Sequence, residues 1–295
     1  MTRILGIVFL CISGAAFGTL LIFGRFAYSA GLNVATMMFI RFAISGVLML
    51  AWMMFRREPL PKGKPLIILI GMGGLGYFGQ AFCYMTSIQY ASAGLAVLLL
   101  YLYPLFVTLL SVTFLKEKIN RFTLIALALA TLGAGLTANP QGGQLPGILL
   151  AISSAVIYAI YIVVGAGVMK QVSPIQSSTV VFLSAGFSFG LLTLFQGAYW
   201  PHSASGWQAV AAIIVVATLI PVSTFLAGLK IVGPTNASLL STLEPVVTLI
   251  LSVLVLHESV SMVMLMGGVL ILAAVIILVK NPAKTTTTPE IEPSI

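Results

Sequence analysis

Arg41 and Glu244 are the two ionisable residues that lie clearly inside long apolar runs, in VATMMFIRFAIS and LLSTLEPVVTLI. An ionisable group at mid-bilayer costs roughly 2.5 to 3.5 kcal/mol on insertion scales, so it turns toward a cavity or a partner. Glu244 then admits three roles: an ion pair with Arg41, a seat for a substrate ammonium, or a proton carrier. An amino-acid zwitterion carries both charges and would suit an arginine and a glutamate lining one cavity. Tyr77, Gln80 and Tyr84 stand at i, i+3 and i+7 on one helical face, and Tyr158 and Tyr161 share another. Aromatic stripes in membrane helices commonly serve packing or an interfacial belt. These lie mid-span, and with Phe17, Tyr103 and Ser241 they favour a cavity with stacking surfaces.

Other patterns carry less chemistry. Gly71-Met-Gly-Gly-Leu-Gly76 fits GxGxxG, but no strand precedes it inside an apolar run, so close helix packing or flexibility is expected instead of dinucleotide binding. Gly14-Ala-Ala-Phe-Gly18 reads as packing too. Gly186-Phe-Ser-Phe-Gly190 fits GxSxG, yet an intramembrane serine nucleophile needs a base, and the only histidines, His202 and His257, fall at span ends or in loops. No HExxH, CxxC or carboxylate cluster is present, so neither a metal site nor another cofactor is expected. Cys11 and Cys83 sit in apolar runs and read as small buried hydrophobes, not a disulfide.

The elements that would position these residues follow from composition. Of 295 residues, 60% are hydrophobic and 7% charged, with no aspartate. Soluble domains carry about a quarter charged residues, which excludes an ordinary cytosolic enzyme. A hydrocarbon core of about 30 Å takes about 20 apolar residues per helix. The pattern predicts an all-α integral membrane protein with ten spans, at 4–26, 34–55, 65–85, 92–115, 122–138, 146–169, 175–196, 207–229, 234–256 and 260–279. The net charge of +8 would suggest nucleic acid in a soluble protein. Here Arg56, Arg57, Lys62, Lys64, Lys116, Lys118, Arg121, Lys170, Lys230, Lys280 and Lys284 alternate with basic-free loops at 86–91, 139–145 and 197–206. That asymmetry predicts an N-in, C-in membrane protein, contacting lipid and no nucleic acid. Arg25, near the far end of the first span, breaks the pattern. The opening MTRILGIVFLCISGAAFG has the look of a signal peptide, but it belongs to the repeat described next and is expected to stay. Residues 281–295 read as a disordered cytoplasmic tail.

An offset of 141 residues lays Ala91–Glu117 over Val232–Glu258 without gaps, with 10 of 27 positions identical, including Pro104/Pro245, Ser111/Ser252 and Glu117/Glu258. The same offset pairs Ser13 with Ser154, Phe17 with Tyr158, and Tyr103 with Glu244. Two five-helix repeats are expected, 1–140 and 141–280. Five is odd, so the second enters the membrane inverted (5+5), as in transporters that alternate between two open states. Pro104 and Pro245 remove a helical hydrogen bond near the midplane and are candidate hinges or gates.

Arg41-Phe42, Pro104 with Glu117, and above all NASLLSTLEPVVTLILSVLVLHES at 236–259 resemble the drug/metabolite transporter superfamily, in its ten-helix EamA-type branch. The resemblance spans nearly everything up to Lys280; Ser13-Gly14 stands where that family usually has Trp-Gly. It implies a non-enzymatic exporter of small metabolites, most similar to those of aromatic and other neutral amino acids. The alternative is a broader metabolite or cationic-drug exporter, with tyrosines facing the cation; a channel or intramembrane enzyme is the reading from a different class. A monomer or weak dimer would suffice.

Overall fold

The computed structural model describes residues 3–138, 142–257 and 260–281; Glu258 and the tail from Pro282 lie outside them. Ten helices are long and apolar enough to cross a membrane: α1 Arg3–Ser29, α2 Val34–Phe55, α3 Lys64–Ser87, α4 Ala93–Leu115, α5 Arg121–Ala138, α6 Leu145–Val168, α7 Pro174–Gln196, α8 Ala204–Val232, α9 Pro234–Leu256 and α10 Met262–Lys280. Every predicted span is present, with ends within a few residues. Side-chain caps mark several starts. Asn33 accepts from the Thr36 N–H at 2.9 Å, Ser92 from Leu95 at 3.2 Å, and Ser173 forms a capping box with Gln176.

Short connections make the helix ends alternate between two faces. One, the basic end, carries the loops with Arg56 to Lys64, Lys116 to Arg121, Lys170 and Lys230. The other, the aromatic end, carries 30–33, 88–92 and 197–203, where Trp200 stacks on Trp207 at 6.3 Å. The main packing partners are α2 with α7, α5 with α10, α1 with α8, and α3 with α6. Glycine permits the closest of these approaches. A Cβ on Gly133 of α5 would lie 2.6 Å from the Gly267 carbonyl oxygen of α10, and the reverse distance is the same.

Five helices are irregular: α1 turns at Thr19 between 3–18 and 20–29, and proline explains much of the rest. α4 breaks between 93–100 and 103–115, and α9 between 234–241 and 244–256, each just before the proline that opens the second piece. α3 and α8 instead widen into π-helical turns at Met72–Tyr77 and Val215–Leu219. One offset, 141 residues, relates the two breaks. It also relates the left-handed residues Lys116 and His257 (φ 54° and 53°) that end α4 and α9. Two inter-helix bonds obey it as well: Ser13 Oγ donates to the Pro221 carbonyl at 2.8 Å, and Ser154 Oγ to the Gln80 carbonyl at 2.9 Å.

The GxGxxG and GxSxG stretches turn out to be two sides of one helix contact. The π-turn of α3 holds the glycines, and Ser188 Oγ of α7 donates to the Gly74 carbonyl at 2.9 Å. A Cβ on Gly73 would collide with Ser184 Oγ and the Val181 carbonyl, whereas one on Gly71 meets nothing within 4 Å. Gly73→Ala is therefore expected to destabilise by about 1–3 kcal/mol through overpacking. Gly71→Ala should be neutral or stabilising by up to about 1 kcal/mol. Thermal unfolding of the two detergent-solubilised variants checks the contrast; equal melting temperatures would refute it.

Candidate functional site

A cavity of about 970 Å³ opens at the aromatic end. Phe17, Leu20 and Leu21 of α1 with Met37 and Met38 of α2 form one wall. Tyr84 and Met85 of α3 with Val97 and Tyr101 of α4 form the other, and Glu244, Pro245 and Thr248 of α9 lie at its depth. Glycine brings α1 against the break in α9: a Cβ on Gly18 would lie 2.9 Å from the Glu244 carbonyl oxygen, and one on Gly14 3.5 Å from the Glu244 nitrogen. Gly14-Ala-Ala-Phe-Gly18 is thus a packing motif with a purpose. Thr248 Oγ1 adds a bond to the Gly18 carbonyl at 3.1 Å. Glu244 begins the second half of α9, so its carboxylate sits in the favourable field of a helix N-terminus.

Arg41 does not line this cavity, which corrects the expectation that it shares a wall with Glu244. Its side chain is 1% exposed. Nε donates to Thr218 Oγ1 at 3.0 Å and Nη2 to the Ala217 carbonyl at 3.1 Å. The cause is local. Pro221 has no N–H, so the carbonyl four residues earlier, Ala217, lacks its helical donor. In hydrocarbon an unmet carbonyl is costly, and the guanidinium meets it. Arg41 still acts on Glu244 electrostatically, without a hydrogen bond between them.

Of the other expected site residues, Phe17, Tyr84, Glu244 and Pro245 line the cavity. Tyr103, Tyr158, Tyr161 and Tyr77 form a packed aromatic layer beneath it, with successive ring centroids 4.7, 6.1 and 6.0 Å apart. Tyr103 Oη donates to the Ser238 carbonyl at 3.1 Å and Ser241 Oγ to Ala237 at 2.9 Å. Gln80 binds Ser154 at 3.2 Å, and Pro104 is buried. These do not reach the open cavity because it ends above them. Arg25, Tyr28, Tyr101 and four methionines (37, 38, 85 and 264) line it unannounced. Arg25 alone had left a signal, as the one exception to the basic-loop pattern. At the basic end α4 and α9 are tied by Thr235 Oγ1 donating to the half-buried Glu117 carboxylate at 2.6 Å. Burial pushes the Glu117 carboxyl above its ordinary pKa, and the Thr235 bond opposes that. Among the described residues, no group of three or more His, Cys, Asp or Glu is placed to hold a metal.

The profile of the EamA-like transporter family matches twice, at residues 4–139 and 145–280. The chain belongs to that family. It is 31% identical to an uncharacterized transporter of Archaeoglobus fulgidus over 73% of its own length and 77% of the relative's. It is 26% identical to the uncharacterized transporter YcbK of Bacillus subtilis, over 89% and 88%. A solved crystal structure of 22% identity shares the fold, with a TM-score of 0.82 over 94% of this chain and 96% of the other.

Arg41→Lys is expected to lose the forked contact to α8 and destabilise by about 1–3 kcal/mol. Thermal unfolding reads this directly. An unchanged melting temperature would return Arg41 to a binding role.

Proposed function

We propose that this transporter is an alternating-access exporter of small neutral amino acids, the aromatic ones foremost, in the inner membrane of a bacterial-type cell. Glu244 carries the reading: a carboxylate at the depth of a cavity, not hydrogen-bonded to Arg41, is a seat for a substrate ammonium. Tyr84, Tyr101 and Phe17 supply stacking surfaces, and Arg25 and Tyr28 give the mouth a charge and a hydroxyl for the carboxylate end. The basic end faces the cytoplasm by the positive-inside rule, so the cavity opens outward. Two inverted halves are supported by the single offset that relates breaks, caps and inter-helix bonds, and by the family profile matching once in each half.

A second reading, export of broader amphipathic cations, has its own support. A cavity of about 970 Å³ stands at the top of the range for drug-sized ligands. Its methionines can repack around varied shapes, and the Arg41 guanidinium is withheld from the substrate. Catalysis has no comparable support: Ser188 is engaged with the Gly74 carbonyl, and the family and its relatives are transporters.

Counterflow in proteoliposomes separates these readings. Vesicles loaded with unlabelled Phe, Trp, Met, Thr, Ala or a quaternary ammonium are given labelled tracer. Accumulation driven by the amino acids supports the first reading, and accumulation driven only by the ammonium supports the second. Glu244→Gln should lower exchange tenfold or more, the scale of a lost charged hydrogen bond worth about 1.5–3 kcal/mol, with the protein still folded. Normal exchange by that variant would refute the role of Glu244.

A further inference from the structure

The loop that joins α2 to α3 is short, fixed and strongly basic. Residues 56–64 read RREPLPKGK, and Arg56, Arg57, Lys62 and Lys64 are all exposed. The one acid is engaged elsewhere: Ser173 Oγ, at the start of α7, donates to the Glu58 carboxylate. Gln176 Nε2 donates to the Pro59 carbonyl at 2.7 Å, and Pro61 is buried. The loop is thus strapped to α7, and its cations stand on a fixed frame. The 141-residue offset lays residues 197–204, GAYWPHSA, over 56–63. That second loop is strapped to α2 in turn. Tyr199 N–H donates to Thr36 Oγ1 at 3.1 Å, and Asn33 Nδ2 to the Gly197 carbonyl at 3.0 Å. It holds no Lys, Arg, Asp or Glu. Strapping therefore needs no charge. Membrane orientation needs basic residues on that side but no particular backbone, and Arg57 has a particular backbone. α2 ends in a Schellman turn: Glu58 N–H donates to the Met53 carbonyl and Arg57 N–H to that of Met54, both at 3.0 Å. Arg57 takes the left-handed place, φ 55°, where glycine is the ordinary residue. The helix dipole does not account for it, since Arg56 already stands at the helix end.

We infer that this loop binds the phosphodiester headgroup of an anionic phospholipid in the leaflet at the basic end, with Arg57 as the main phosphate ligand. A guanidinium fork matches two phosphate oxygens, and a cluster of four Lys and Arg next to a span attracts anionic lipid. The apolar part of the site is present too. Trp52 and Phe55, on the last turn of α2, are exposed and stack with ring centroids 5.7 Å apart. They offer an aromatic surface at the level of the glycerol and the first methylenes of a lipid. A soluble anion would meet the cations but not this surface, which favours lipid over free phosphate. The site is independent of what the cavity carries.

Trp52 reports on the site. The chain has three tryptophans, so Trp200→Phe with Trp207→Phe leaves Trp52 alone. This full-length protein is reconstituted in vesicles, and its fluorescence is quenched by phospholipids with brominated chains. Brominated phosphatidylglycerol should bind at Trp52 about threefold to tenfold more strongly than brominated phosphatidylcholine. Salt at about 1 M should shrink that preference. Arg57→Gly should bring it close to one while the melting temperature holds or rises, because glycine relaxes the turn. Lys62→Gln with Lys64→Gln, two exposed positions, should lower it in part. A chain that keeps only Trp207, at the aromatic end, should show no preference. Equal quenching of Trp52 by the two lipids, the same preference at Trp207, or a preference that survives in both variants would overturn the site. Millimolar glycerol 3-phosphate should leave the preference intact; its loss would make the ligand a soluble phosphate instead of a lipid.

Discussion

A backbone carbonyl released from its helix inside hydrocarbon has no water to turn to, and this fold is arranged around that constraint. Pro221 removes the donor for Ala217, and the Arg41 guanidinium supplies it from α2. The π-turn of α3 offers the Gly74 carbonyl, and Ser188 reaches it from α7. Ser13 and Ser154 reach across to the Pro221 and Gln80 carbonyls of the same two helices. α3 and α8 are thereby bound to neighbours at or beside their irregularities, so the points where these two helices can bend are also the points where they are held.

The cavity depends on these ties. Because Arg41 of α2 is engaged with the backbone and Thr218 of α8, Glu244 is left without a hydrogen bond from it at the depth of the cavity. Because α1 has glycine at 14 and 18, it approaches the break in α9 closely enough for the carboxylate to sit at the base of a cleft instead of in a packed interface. The tyrosines below fill the midplane with rings, leaving Tyr161 Oη without a hydrogen bond.

Span positions were legible because apolar run length is a direct reading of bilayer thickness. The 141-residue offset was legible because Pro104/Pro245 and Glu117/Glu258 stand out against a background where leucine matches leucine by chance. Depth was not legible: Gln80 and Tyr84 lie one turn apart on one helix, yet the cavity ends between them, and only packing from α6 and α9 sets where it ends. The role of Arg41 was half written in the sequence. Pro221 announces an orphaned carbonyl at Ala217, but nothing in the chain says that α2 passes within reach of it. The cavity methionines were invisible because methionine in a membrane span is equally at home in lipid.

The packing partners divide the helices into two kinds. α2 packs on α7 and α5 on α10, each against its own counterpart, whereas α1 takes α8 and α3 takes α6. The 141-residue offset maps the first two pairs onto themselves and swaps the others. The self-paired helices meet closely, with a Cβ on Gly133 lying 2.6 Å from the Gly267 carbonyl oxygen and the reverse distance the same. The broken and widened turns all fall in the other helices. Two of the main seams of the fold are thus the places where a helix meets the segment 141 residues away from it.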